Sequence, residues 1–382
     1  MKNLSSVDLI KLIGSVFPHL PGDRELGIVV DIPRKSPLDN DDWLKRRRIA
    51  QEWAENLRSK KKSLDLESIK LIAYPDVGSN NADLPEYAYE IKNSLPALSS
   101  QLESIGEKIT FAAIFQSTQL ILAPTEFSTT APLKMAAKKY GFRAATMPGF
   151  SAAMIPALKI DYNEVNRRVL LIKDKLDAAV AAEILFLIDE KQSHNMFFDL
   201  RYRQAHASSG RFPERGTAGN VPSGEAYIVP YEGEKKDPSL TKGILPVQIG
   251  SEIVLFMIKQ NRALGAKGEG KQAIQEDRHL KKEPAYGNMA ELGFGVLADF
   301  GLNPINEILL DEKLGFHVAF GRSEHFGGII GPEDFSSPSS VIHLDRIYIP
   351  ATQPRITIKT INLIFKQNKI EPIMEEGKYT IF

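Results

Sequence analysis

Leu26-Gly27-Ile28-Val29-Val30-Asp31-Ile32 is the stretch that decides the fold of the first half of this chain. Seven residues with one charge, rich in Ile and Val, suit a strand buried on both faces, as parallel sheets require. Downstream, Ile49, Trp53 and Leu57 recur every four residues, the spacing of one helix face. Segments 69–73, 110–115, 120–123 and 142–146 read as further strands. Between the last two, Thr130 caps a helix with Pro132 in its first turn, ending at Gly141. Residues 161–181 read as a helix and 183–188 as a strand. Strands alternating with helices imply a doubly wound α/β domain.

From about Ser193 the texture changes to short strands, turns and frequent glycine, including Gly216, Gly224, Gly293, Gly295, Gly315 and Gly321. Glycine in such numbers marks tight turns and close backbone approaches. The reading is therefore α/β with two domains: a doubly wound one over 1–190 and a mixed α+β one over 191–382. A length of 382 residues agrees with two domains.

Lys plus Arg and Asp plus Glu each total 48, so the formal charge is zero, which gives no drive toward nucleic acid or an anionic membrane. The chain has no cysteine, which excludes disulfides, a thiol nucleophile and thiolate metal sites. A metal would have to be held by Asp, Glu and the 7 His. The start, 1–20, reads as a short amphipathic helix because Asp8 and Lys11 interrupt any leader-like apolar run. The expectation is a cytoplasmic protein with neither nucleic-acid nor membrane partners.

Two motif matches fail, and the first strand carries no cofactor fingerprint. Gly265–Gln272 (GAKGEGKQ) resembles a phosphate loop but has Gln272 where a hydroxyl should meet Mg²⁺. Gly293–Ala298 (GFGVLA) has the loose dinucleotide pattern without a strand feeding it. The first strand ends in Asp31-Ile32-Pro33 with no glycine loop.

What remains is a set of polar residues in apolar surroundings. Glu225 sits where a turn enters a strand, and Glu291 is the lone charge in Asn288–Gly295. Glu312 and His317 flank Lys313–Phe316, and His343 and Asp345 form a His-x-Asp inside an apolar run. On a strand, His343 and Asp345 share a face. Glu312 and His317, five apart, converge only through a turn or bulge near Gly315. Taken singly, each has a plain alternative: Glu312 a solvated turn charge, His317 a hydrogen-bonded core imidazole, His343–Asp345 a structural pair, and Glu225 and Glu291 partners of arginines. Together, four carboxylates and two imidazoles repel one another unless cations neutralise them, and such ligands suit Zn²⁺, Co²⁺ or Mn²⁺.

Pro-Ser-Gly-Glu at 222–225, Asn-Met-Ala-Glu-Leu-Gly-Phe-Gly at 288–295, Asp-Glu-Lys-Leu-Gly at 311–315, His-Val-Ala-Phe-Gly at 317–321 and His-Leu-Asp at 343–345 resemble, in this order, the aminopeptidase T family of metallo-aminopeptidases. The resemblance runs from about Arg211 to the C-terminus. It implies an N-terminal α/β domain, a C-terminal catalytic domain binding two divalent ions, and a homodimer. It implies Glu225, Glu291, Glu312, His317, His343 and Asp345 as metal ligands, with Glu291 or Asp345 bridging. The implied reaction is hydrolysis of the N-terminal peptide bond of short peptides. Family members carry a Tyr shortly after the His-x-Ala-x-Gly segment. Here Glu324 falls at that spacing with His325 beside it, and both are candidates for proton transfer. Phe316 stands where the family has Thr. These departures keep two alternatives open: a metallohydrolase acting on another amide or a modified amino acid, and a metal-stabilised binding protein without turnover.

Overall fold

The strand Glu25–Ile32 has seven of its eight residues buried, as an unbroken apolar run demands. It lies inside a seven-stranded sheet in the order Ala218–Asn220, Arg143–Pro148, Leu120–Thr125, Glu25–Ile32, Ser68–Pro75, Tyr87–Ile91, Gly106–Thr110. The first five strands are parallel, and the last two add an antiparallel edge hairpin. Helix Asp41–Lys60 buries Ile49, Trp53 and Leu57, and helix Thr130–Tyr140 ends at Gly141 in the left-handed conformation. The computed structural model describes residues 3–382, so Met1 and Lys2 of the expected 1–20 helix lie outside the described residues. That helix runs Ser6–Val16, with Ser5 and Asp8 forming a capping box.

The chain is an α/β protein of two compact units. One runs to Asn166 and takes in Ser208–Ser223; the other comprises Arg167–Ala207 and Gly224–Phe382. The division thus falls inside helix Tyr162–Ala178 and not near residue 190. Ser208–Ser223 returns to the first unit because Ala218–Asn220 pairs in parallel with Arg143–Pro148.

Three local expectations change. Residues 110–115 form not a strand but the start of helix Phe111–Ser117, because the Thr110 hydroxyl accepts the Ala113 N–H at 3.1 Å. Phe111, Ile114 and Phe115 then bury one helical face. The helix expected over 161–181 stops at Ala178, where Ala179–Ile188 begins as a strand between Gln192–Asp199 and Ile356–Phe365. The hairpin Tyr87–Ile91 and Gly106–Thr110 had no apolar run to announce it.

In the first sheet the strand order reverses between Glu25–Ile32 and Leu120–Thr125, the place where open α/β sheets bind ligands. Here that place is filled. The Asp31 carboxylate accepts N–H bonds from Glu126 at 2.8 Å, Phe127 at 3.0 Å and the Trp43 indole at 3.2 Å. Arg46, buried, pairs with Glu126 and donates to the Phe150 carbonyl at 2.5 Å.

The second unit is built on antiparallel strands. Eight, from Ala179–Ile188 to Lys378–Tyr379, make one sheet. His343–Ile347, Phe316–Gly321, Met289–Gly295 and Glu225–Ile228 are neighbouring strands of another. No helix among the described residues is long and apolar enough to cross a membrane.

Candidate metal centre

Strand alternation sorts the second sheet into an apolar face and a polar one. Leu292, Phe294, Phe316, Val318 and Phe320 are buried on the first, with Phe294 and Phe316 rings 5.3 Å apart. The other face carries Glu225, Glu291, His317, His343 and Asp345. The pairings Glu225–Gly295, Gly293–His317, Asp345–Ala319, Ala319–Glu291 and Gly321–His343 bring these residues together from four strands. Small residues between them form a floor on which the long side chains converge. A Cβ on Gly293 would lie 1.9 Å from His317 Nε2, so the imidazole requires glycine beneath it. Gly321, at φ 101°, would place a Cβ 2.2 Å from the Ile342 carbonyl. A bulge at Ala290 resets the register just before Glu291.

Glu291 is the hub. Its Oε1 lies 3.5 Å from His317 Nε2 and its Oε2 3.1 Å from His343 Nε2. The far nitrogens face backbone carbonyls: His317 Nδ1 is 3.3 Å from Gly315 O, and His343 Nδ1 is 2.8 Å from Arg322 O. A neutral imidazole that donates from Nδ1 directs its Nε2 lone pair at the carboxylates, which is repulsive unless a cation lies between. Without one, protons take that role. Burial opposes charge on His317 and His343, yet hydrogen bonding to Glu291 and nearby carboxylates pushes them up to about 10 and about 9. Burial also opposes charge on Glu291, but the two imidazoles hold its carboxyl well below the usual range. Burial and neighbouring negative charge push Glu225 up to about 7 and Asp345 up to about 6.

These residues form two groups able to hold a metal ion, Glu225–Glu291–His317 and Glu291–His343–Asp345, with the ligand atoms of each within 4.8 Å of one another. Glu225 Oε2 is buried without a hydrogen-bond partner, 3.6 Å from His317 Nε2. A buried carboxylate oxygen facing an imidazole nitrogen is a position that a cation would satisfy. The donor set therefore fits a divalent ion. Glu312 is in neither group. It lies on the 3-10 turn Glu312–Leu314, which precedes the strand of His317, and its carboxylate is held by Lys313 Nζ. The same ammonium, buried, donates to Glu225 Oε1 at 2.5 Å. Lys313 was within the quoted Asp-Glu-Lys motif, but spacing alone does not show which carboxylate a lysine will claim.

Glu324 and His325 lie on the 3-10 turn Glu324–Phe326. Arg322 grips the Glu324 carboxylate with Nε at 2.6 Å and Nη2 at 2.5 Å, holding it down at about 2. Burial and the nearby His343 push His325 down to about 4, so its ring is neutral at ordinary pH. The His325 ring packs against Phe326 at 3.9 Å, and Phe326 in turn meets Tyr227 at 4.8 Å and His343 at 5.4 Å. This aromatic wall was not anticipated, since Tyr227 joins it only through strand pairing. Asn288 ties the segment down, donating to Glu232 at 2.7 Å and to the Gly321 carbonyl at 3.0 Å. A cleft of about 350 Å³ has Asp345 in its wall, with Gln248, Asn306, Asp311 and Arg346.

The failed motifs stay outside this chemistry. Gly293–Gly295 is strand, and the helix after GAKGEGK, Lys271–Lys282, has the Glu252 carboxylate on its Gln272 N–H at 2.9 Å, where an anion would otherwise sit. No protein-family model matches the chain, and no curated protein does. Among solved structures the chain is similar to 2,5-dihydroxypyridine dioxygenase from Pseudomonas putida KT2440, at 15% identity, covering 99% of each chain with a TM-score of 0.59. At that identity the likeness concerns the fold.

Proposed function

We propose that this chain is a metal-dependent hydrolase that releases the N-terminal residue of short peptides or amino-acid amides. The observation that carries the reading is the convergence of Glu225, Glu291, His317, His343 and Asp345 into two ligand groups sharing Glu291. Two divalent ions, Zn, Co or Mn, would be held there by Glu225, Glu291, His317, His343 and Asp345. Such ions supply Lewis acidity and a water of lowered pKa. The chain's own groups do the rest. Gly315 O and Arg322 O fix the imidazoles so that both Nε2 atoms face Glu291. His325, its ring 5.4 Å from that of His343, is the group we assign to pass a proton to a leaving amine, whereas Glu324 is engaged by Arg322. The homodimer implied by the family resemblance belongs to the same proposal.

A second reading, oxygenation of a hydroxylated pyridine-type ring, is favoured by the full-length fold likeness and by the aromatic wall beside His343, which suits a flat ring. The test is turnover of unblocked dipeptides, N-blocked dipeptides and amino-acid amides by protein loaded with Zn²⁺, Co²⁺ or Mn²⁺, with a chelated control. Oxygen uptake with 2,5-dihydroxypyridine is followed in parallel after Fe²⁺ loading. Cleavage of unblocked substrates alone supports the hydrolase. Oxygen uptake without any cleavage replaces it with the second reading.

A further inference from the structure

The two ligand groups differ in one respect that bears on how they fill. Lys313 is buried, and its ammonium occupies Glu225 Oε1 at 2.5 Å while also holding Glu312. Glu225 belongs to the Glu225–Glu291–His317 group, so that group already has a resident positive charge on one of its carboxylates. Only the other oxygen, Oε2, is left buried and unpartnered. The Glu291–His343–Asp345 group has no such occupant: its carboxylates meet imidazole nitrogens, and no Lys or Arg side chain is paired with Asp345 among the described contacts. Its ligands are also more open, with the His343 side chain 20% exposed against 1% for His317. An ion approaching the Glu225 group must overcome the repulsion of Lys313 at a few ångströms in a poorly solvated place, and it gains Glu312 only if the ammonium lets go.

We propose that Lys313 is a displaceable counter-ion that makes the centre load in order: the Glu291–His343–Asp345 group binds its ion first, and the Glu225–Glu291–His317 group binds second, in competition with the Lys313 ammonium. Withdrawal of Lys313 frees both Glu225 oxygens and releases Glu312 toward the second ion. In the metal-free chain the same lysine keeps Glu225 and Glu312 from repelling each other, so the pocket is held together before any ion arrives. This inference rests on the metal-centre reading and assigns Lys313 a positioning role, not contact with substrate.

Calorimetric titration of metal-stripped protein with Co²⁺ alone tests it, with bound metal counted after dialysis. The wild type is expected to show two unequal steps, the second weaker by about tenfold or more. Lys313→Met should tighten the second step by about tenfold while moving the first by less than about threefold. Asp345→Asn should instead weaken the first step. A second wild-type step too weak to detect that emerges in Lys313→Met also supports the proposal. Two equal wild-type steps, or a second step that Lys313→Met leaves unchanged or weakens, overturn it. If Lys313→Met proves unable to fold, Lys313→Gln gives the same comparison. Absence of any bound Co²⁺ overturns the metal-centre reading itself, an outcome distinct from two ions binding without order.

Discussion

Two of the places where this chain gathers buried charges differ in how those charges are satisfied. In the parallel sheet, Asp31 receives three N–H donors and Arg46 spans Glu126 and the Phe150 carbonyl, so acceptors meet donors. In the antiparallel sheet, Glu225 keeps an orphaned oxygen, and two imidazoles turn toward Glu291 with their other nitrogens already facing carbonyls. The first arrangement is complete as it stands and fills the crevice where a doubly wound sheet would bind a ligand. The second is complete only with added positive charge. Burial and charge are common to both; the direction of the lone pairs separates a structural network from a ligand site.

The most severe way to break this contrast is Glu291→Gln, which removes the carboxylate common to both ligand groups. Co²⁺ affinity should fall by about a hundredfold or more and any turnover with it. The metal-free variant should also melt below the wild type, because the carboxylate that pairs with the His317 and His343 imidazoles is lost. Unchanged metal affinity would return the cluster to the structural class.

Next in size, Co²⁺ at about a hundred times its dissociation constant should stabilise the second unit by about 2.7 kcal/mol. Both tryptophans, Trp43 and Trp53, lie in the first unit. Their fluorescence melt should stay in place while the far-ultraviolet circular dichroism melt moves up. Movement of both in step would contradict a response confined to the antiparallel unit. Smaller again, Arg46→Met should destabilise the first unit by about 2 kcal/mol, leaving the Phe150 carbonyl and Glu126 without their partner. Denaturant unfolding followed by tryptophan fluorescence reads this, and the Co²⁺ isotherm should not change.

How much of this was legible beforehand follows the same physics. The parallel strands announce themselves because strands buried on both faces are continuous apolar runs, as at 26–32 and 120–123. The segment 110–115 misled because Phe-Ala-Ala-Ile-Phe fits either period, and one hydroxyl at Thr110 decides for helix. The last two strands of that sheet, Tyr87–Ile91 and Gly106–Thr110, carry Glu90, Glu107 and Lys108 and so look like loop. At the site, the common face of His343 and Asp345 could be read from their spacing. The place of Glu225 could not, since it depends on pairing with Gly295, seventy residues away in sequence. Nor could the capture of Glu312 by Lys313, which leaves an expected ligand tied to its own neighbour.

The smallest effect tests a residue whose place near the centre disguises its class. Glu324 was expected beside the reacting groups, yet Arg322 satisfies it with two hydrogen bonds, much as Arg46 satisfies its partners. Its carboxyl is lowered to about 2 from an ordinary 4.5, chiefly by the Arg322 hydrogen bond. A lowered folded-state value means the pair stabilises fully above about pH 4.5, with that contribution lost as pH falls toward 2. Both side chains are 34% exposed, so solvent screening keeps the contribution below about 1 kcal/mol. Glu324→Gln should therefore lower the melting temperature slightly at pH 7, with the difference from wild type shrinking through the acid range. Turnover should change by less than about threefold, while His325→Ala lowers it about a hundredfold, the usual reach of one proton-transfer group. A collapse of turnover in Glu324→Gln, with His325→Ala silent, would move the proton path onto the carboxylate and make the Arg322 pair a latch that must open during the reaction.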